Sequence, residues 1–445
     1  MAERKYESQN SLDPSNASET IRVDYLARVE GEGAIYIKKR GAEVDTVQFK
    51  IFEPPRMFEA FLRGREHTEV PDITSRICGI CPIAYQMSSI QAMEQAVGIQ
   101  VTPTIRDVRR LIFCGEWIES HALHVYMLHA PDFLGYDDAI QMAKRFPKHV
   151  VSGLHLKKAG NDLMTALGGR EIHPINLRVG GFYHLPEPNA LRHMLDPLKR
   201  ARDIALETVR FVSKFEFPDY AYDYEFVALS HPDEYPIHEG RIVSSRGLDI
   251  SVSEYLAHFD EIHVEHTHAL HSVLKSRGEY LTGPQARYYL NENKLSHTVQ
   301  EAARSVNFTR EDCKNPFKSI IVRSLEMLYA CEEAIRILNE YEAAGPSWVP
   351  YGPRAGVGHG CTEAPRGILY HRYEIDSAGM IREARIIPPT SQNQKAIETD
   401  LLNVARKYIH LSKPQLQHRC EQTVRNYDPC ISCATHFLKL EIENE

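Results

Sequence analysis

The sequence predicts an α+β fold in which a central bundle of long helices dominates and small β-sheets sit at the periphery. Three observations carry this. Apolar residues recur at three-to-four spacing through five segments in the middle and end of the chain, whereas period-two alternation is confined to short runs near its two ends. No internal repeat, low-complexity linker or composition break divides the 445 residues. One interwoven unit over residues 21–436 is therefore expected, with a tail before it and an extension, 437–445, after it.

Residues 1–20 are rich in Ser, Asn, Glu and Asp and have no apolar period, so they read as a flexible tail. Ala34–Lys38 and Val47–Phe52 alternate as strands do, and Gly41, Ala42 and Glu43 between them give an early hairpin. From Pro103 the pattern turns helical. Thr104 with Asp107 suggests a capping box, and Val108, Leu111, Ile112, Gly115, Ile118, Ala122 and Val125 keep helical spacing. The same period marks 149–167, stopped by Gly168-Gly169, then 194–213, Ile320–Ala343 and Lys395–Ile409. Near the end, Gly367–Ile375 and Met380–Ile387 flank Asp376–Gly379, which is good hairpin chemistry.

A composition of 43% hydrophobic and 25% charged residues is ordinary for a globular enzyme, and the net charge of -8 argues against nucleic acid as partner. No run approaches the roughly 18 apolar residues that a membrane span needs. The opening Met-Ala-Glu-Arg-Lys-Tyr-Glu lacks the apolar core of a signal peptide. With nine cysteines, an odd number, these facts place reduced thiols in the cytoplasm, used for metal rather than for disulfides.

Four of those cysteines form two Cys-x-x-Cys pairs, Cys78 with Cys81 and Cys430 with Cys433, at opposite ends of the chain. Two intervening residues let both sulfurs reach one ion, and four thiolates close a cage around a soft or borderline metal. A structural zinc site is the rival reading, although such pairs usually stand about 15 to 20 residues apart. Here Cys81 and Cys430 are separated by 349 positions. Arg76, Asp428, Pro429 and His436 surround the pairs with charge and an imidazole that a purely structural cage does not need.

Arg76–Cys81 (Arg-Ile-Cys-Gly-Ile-Cys) and Asp428–His436 (Asp-Pro-Cys-Ile-Ser-Cys-Ala-Thr-His) resemble the paired signature of the large, catalytic subunit of nickel-iron hydrogenases. Further segments match in order: Arg28–Glu32, Gly168–Pro174, Glu363–Gly367 and Pro388–Asn393, so the resemblance spans about residues 22–436. It implies reversible heterolytic cleavage of H2 at a thiolate-bridged Ni-Fe centre whose iron carries CO and CN ligands. By motif position Cys78 and Cys430 are terminal nickel ligands, while Cys81 and Cys433 also bridge to iron. Thiolates are soft donors suited to a redox-active nickel.

The same resemblance implies the other roles. Cys430 is the nearest base for the proton, and Glu30 the relay carboxylate that takes it on. Arg366, beside Pro365, is the arginine suspended over the metals, able to pair with Asp428 while polarising bound ligands. Thr390 is a hydroxyl donor to a cyanide. Glu59 and His436 are implied ligands of a buried Mg2+ or Fe2+. Cleavage by a maturation protease is expected between His436 and Phe437.

The chain departs from the common family pattern at Tyr85, where many members have histidine, and at Ser120, where an acidic residue is usual. With Phe52–Arg56 (Phe-Glu-Pro-Pro-Arg), both departures resemble the cytoplasmic, cofactor-coupled branch. His121, His124 and His129 at helical spacing read as core groups, and Cys114, Cys313, Cys331, Cys361 and Cys420 as small buried hydrophobes. None of those five forms an iron-sulfur motif, so electrons must leave through an iron-sulfur small subunit. Flavin and NAD(P) reductase subunits are the further partners implied. A deazaflavin- or ferredoxin-linked enzyme, and a noncatalytic or zinc-stapled scaffold subunit, are the alternatives.

Overall fold

In the computed structural model, the described residues run from 18 to 435, apart from 42 and 344. The expectations for the tail to residue 17, for His436 and for the extension 437–445 lie outside them.

The helix predicted from Pro103 runs Pro103–Ala122. Pro103 supplies the fixed φ of a first helical position, and the cap is Thr102, whose hydroxyl accepts the Ile105 N–H at 3.3 Å. Thr104 is therefore inside the first turn, not a cap. At its far end this helix widens into a π-helical stretch, Leu123–His129, before Ala130–Leu134. Pro147–Gly168 packs along it, closest where Gly115 meets Gly160: a Cβ added to Gly160 would lie 2.5 Å from the Gly115 carbonyl. Ser319–Glu340 packs on its other side and against Leu195–Val212, completing the bundle.

The first sheet is antiparallel in the order Ser18–Val23, Gly33–Arg40, Glu43–Ile51, and its outer strand starts before the expected onset of order at Ile21. The hairpin at 376–379 forms as the sequence suggests, with the Asp376 carboxylate accepting the N–H groups of Ala378 and Met380 at 2.9 Å each. Its strands, Gly367–Ile375 and Ile381–Ile387, gain a third partner, Gly356–Ala364. That third strand is not visible in the alternation pattern. Smaller two- and three-stranded sheets complete the described residues.

Gly356–Ala364 lies directly on the helix Pro82–Val97. Alternate strand residues Gly356, Gly358 and Gly360 face the carbonyls of Ala96, Ala92 and Ser88, one helical turn apart each time. Two strand residues advance about 6.6 Å and four helical residues about 6.0 Å, so the two repeats stay in step over this length. A Cβ at Gly358 would stand 1.8 Å from the Ala92 carbonyl, and one at Gly360 2.0 Å from that of Ser88. The contact brings the first cysteine pair, just before Pro82, against the sheet whose tip carries Arg366.

This close approach gives a test. Gly358→Ala must push strand from helix, and overpacking of this kind costs about 3 kcal/mol, the top of the usual range. A marked fall in the urea midpoint is expected, whereas Gly352→Ala, with nothing within 4 Å of the added Cβ, should leave it unchanged.

Candidate metal centre

All four motif sulfurs meet in the interior. Cys78, Cys81, Cys430 and Cys433 are each 3% exposed or less. Cys81 Sγ lies 2.8 Å and Cys430 Sγ 3.5 Å from Cys78 Sγ, and the sulfurs of Cys78, Cys81 and Cys433 are within 4.8 Å of one another. Thiolates around one tetrahedral ion stand about 3.8 Å apart, two bonds of about 2.3 Å. The donor set thus fits a soft or borderline metal.

The Cys430 and Cys433 sulfurs face each other across the two residues between them, with Cα atoms 5.4 Å apart. A metal can take these sulfurs only as the reduced pair.

The first pair is poised by its own turn and by a residue far along the chain. The N–H groups of Ile80 and Cys81 point at Cys78 Sγ, at 3.4 and 3.2 Å. Burial pushes the Cys78 thiol up, but the bond from Cys81 and the charge of Arg366 outweigh it and leave Cys78 the more acidic of the two. Cys81, holding the shared proton, is pushed up. Glu116 then takes the place of a cap on the following helix: its Oε2 accepts the Ile83 N–H at 2.6 Å and its Oε1 the Ala84 N–H at 3.3 Å. Burial drives its carboxyl well above the usual range. Sequence reasoning missed Glu116, although a carboxylate between the core positions Gly115 and Ile118 was the available signal.

The second pair is set by Glu30 and by two buried arginines. Glu30 forms a parallel bridge with Cys430, and the Ile431 N–H donates to the Glu30 carbonyl at 3.0 Å. The carboxylate Oε2 then lies 3.2 Å from Cys430 Sγ and accepts the Ser432 N–H at 3.1 Å. Gly31, at φ +86, must be glycine, because a Cβ would meet the Glu53 carboxylate at 2.5 Å. The Thr390 hydroxyl accepts the Cys430 N–H at 3.1 Å and keeps its own hydrogen to donate.

Pro365 and Arg366 form the two-residue tip between Ala364 and Gly367. Arg287 holds the tip by donating to the carbonyls of Ala364 and Pro365 at 2.8 and 3.0 Å, while also pairing with Glu326 and Glu363. Arg366 Nε donates to the Asp428 carbonyl at 2.6 Å and Nη2 to its carboxylate at 3.2 Å; Nη1 has no hydrogen-bond partner. The sulfurs of Cys78 and Cys81 are close enough to act on this guanidinium electrostatically. A free, buried donor beside four sulfurs is what a charged ligand on a metal requires. Arg323 stands behind Asp428 at 3.7 Å.

One expected residue lies elsewhere. Arg76 is exposed and pairs with Asp72 at 3.5 Å, one helical turn back, so the positive charge beside the thiolates is Arg366 instead. Glu59 is buried against the strand Ile381–Ile387, its Oε1 accepting the Ile386 N–H at 2.7 Å. Tyr85 is buried near the sulfurs of the first pair.

The chain matches the family described as nickel-dependent hydrogenase over residues 56–150 and 277–436. It is 34% identical over 428 residues to sulfhydrogenase 2 subunit alpha of Pyrococcus furiosus, covering 94% of this chain and all of that one. With the NAD-reducing hydrogenase HoxS subunit beta of Cupriavidus necator, identity is 27% and coverage 95% of both chains. The solved structure of an NAD+-reducing [NiFe]-hydrogenase in the H2-reduced state superposes with a TM-score of 0.88 at 26% identity, over 95% of this chain and all of that one.

Beside the cage, three buried histidines make long-range bonds, two of them to the segment that precedes Asp428. His121 Nε2 meets Glu326 at 2.9 Å, His124 Nε2 the Arg425 carbonyl at 2.8 Å, and His129 Nε2 the Asn426 side chain at 2.9 Å. Burial pushes His121 down to about 4, against the pull of Glu326, and lowers His124 and His129 further from the usual range. Because unfolded histidines bind protons first, stability should fall as pH drops from about 6.5 towards 4. In His124→Gln, which keeps a donor to the Arg425 carbonyl, the slope of urea stability against pH should shrink by up to about 1.4 kcal/mol per pH unit.

Proposed function

Since the chain belongs to the nickel-dependent hydrogenase family as a large subunit, we propose that it catalyses reversible heterolytic cleavage of H2 and delivers the electrons to an iron-sulfur small subunit. The observation that carries this is the meeting of Cys430 Sγ and Glu30 Oε2 at 3.2 Å inside a buried four-sulfur cage. A structural zinc staple has no use for a carboxylate held against one of its sulfurs.

Cys78, Cys81, Cys430 and Cys433 would hold the nickel-iron centre, its iron bearing CO and CN. When bound, that centre supplies the splitting of H2 into a hydride equivalent and a proton. Cys430 Sγ accepts the proton and passes it to Glu30, whose carboxylate the Ser432 N–H keeps in place. Glu30 is half-buried and so leads outward from a dry cage. Arg366, oriented by Asp428 and unpartnered at Nη1, offers charge and a donor to ligands above the sulfurs, with Pro365 shaping the tip. Thr390 offers its free hydroxyl hydrogen to a cyanide. Glu59 with His436 would hold the additional magnesium or ferrous ion.

The electron exit is read from the surface beside Cys78. Gly79 in the cysteine turn is exposed, and His173 Nδ1 bonds the Ser75 carbonyl at 2.8 Å, which sets the loop 169–175 next to that turn. Ile172, Ile175 and Tyr183 there are 50% exposed or more, an apolar face suited to a partner subunit. Among the described residues no helix is long and apolar enough to cross a membrane. A cytoplasmic complex that passes electrons through flavin to NAD(P) accords with the NAD-reducing relatives, and a maturation protease would cut after His436.

Metal content, infrared spectra, isotope exchange and acceptor reduction test this function. Purified complex should contain nickel and iron near one each at the cage and show infrared bands of iron-bound CO and CN; zinc alone there would overturn it. Glu30→Gln should keep the metals but slow hydrogen–deuterium exchange by about 100-fold or more, the usual worth of a proton-transfer group. Cys430→Ser should abolish exchange. For the acceptor, H2-dependent reduction of NAD+ or NADP+ by the complex is expected, and reduction of a deazaflavin or ferredoxin alone would refute the NAD(P) link.

A further inference from the structure

We propose that His266, His271 and Glu398 form a second metal site, for a borderline divalent cation of the zinc type, which pins the loop between the strands Phe259–Ile262 and His271–Leu274 onto the helix Pro389–Lys407. The site is separate from the sulfur cage and does not depend on the hydrogenase reading.

One donor atom from each of the three residues lies within 4.8 Å of the other two. Two imidazoles and a carboxylate make a donor set that zinc favours, leaving a fourth position for water. Glu398 is already aimed: its Oε1 accepts the Phe49 N–H at 2.9 Å and meets His266 Nε2 at 2.6 Å. Such outer contacts orient metal-binding carboxylates. His271 is 3% exposed, and its Nε2 has no hydrogen-bond partner. A buried imidazole nitrogen left unpaired is costly unless something occupies it.

Around one tetrahedral ion, nitrogen and oxygen donors stand about 3.4 Å apart, two bonds of about 2.05 Å. The present 2.6 Å contact of His266 with Glu398 therefore opens by less than about 1 Å on binding. His266 and Glu398 are 18% exposed, which leaves a path for an ion to enter. Lys395, one turn back from Glu398 on the same helix, is the charge that opposes binding; it is half-buried and can swing to solvent.

The loop the site would pin is linked to the catalytic region. Thr267 Oγ1 accepts the Ile51 N–H at 3.2 Å, the His268 N–H donates to the Ile51 carbonyl at 2.7 Å, and His268 Nδ1 meets the Glu53 carbonyl at 3.0 Å. Glu53 in turn accepts the Ser432 hydroxyl at 3.2 Å. The metal would hold the loop that hydrogen-bonds Ile51 and Glu53.

The test uses the full chain in its purified complex, with Zn2+ alone as probe. Wild type, Glu398→Gln and His266→Gln are dialysed against Zn2+, and zinc per chain and the melting temperature with and without Zn2+ are measured. Glu398→Gln keeps the acceptor for Phe49, and His266 is partly exposed, so both variants should fold. Wild type should bind one more zinc per chain than either variant and should be stabilised by Zn2+ where the variants are not; zinc in the sulfur cage cancels in the difference. Equal zinc content, or equal stabilisation of all three proteins, would overturn the site.

Discussion

The centre depends on two segments some 400 residues apart running side by side, residues 28–32 and 428–432. Only one backbone bridge, Glu30 with Cys430, joins them directly, so other forces must hold the register. Asp132 supplies them. It is buried and pairs with Arg425 Nε and Nη2 at 2.8 and 2.9 Å and with Arg28 at 2.5 Å, clamping the stretches just before Glu30 and just before Asp428 to one short helix. From that clamp follow the distance from Cys430 to Glu30, the need for Gly31 and the angle at which Asp428, in the left-handed region at φ 53, turns the chain into the second cysteine pair.

Charge is unusually deep around this centre. Arg287, Arg323, Arg366, Glu326, Glu363 and Asp428 are all 2% exposed or less. Buried ion pairs add little net stability over well-packed apolar residues, because desolvation cancels most of the attraction. What they supply here is direction: each guanidinium has a fixed fork and each carboxylate several donors, so the tip carrying Arg366 has one orientation. The glycine contact between Gly356–Ala364 and Pro82–Val97 does the equivalent for the backbone, setting the distance from the first cysteine pair to that tip.

Much of this was legible in the residues. The long helices announced themselves through one apolar stripe each, and the hairpin at 376–379 through its turn chemistry. Pro82–Val97 did not, because nearly every face is buried and polar side chains such as Gln86, Ser88 and Ser89 are buried with it, which erases the stripe. Gly356–Ala364 was hidden because alternate glycines, required by the close helix, have the lowest strand preference. Arg76 is two residues from Cys78 in sequence, yet the short helix Val70–Ser75 turns its side chain outward, to Asp72.

The sequence by itself determined the donor chemistry. Two Cys-x-x-Cys pairs specify a soft-metal cage whatever surrounds them, since the spacing alone lets both sulfurs of a pair reach one ion. Only the tertiary structure decided which side chains stand around that cage. Glu116 capping the helix that follows the first pair and Arg323 behind Asp428 are long-range contacts, and no local period encodes them. The physical reason is that a thiol carries its metal preference within one residue, whereas a charge acquires its role from the neighbours that folding buries with it.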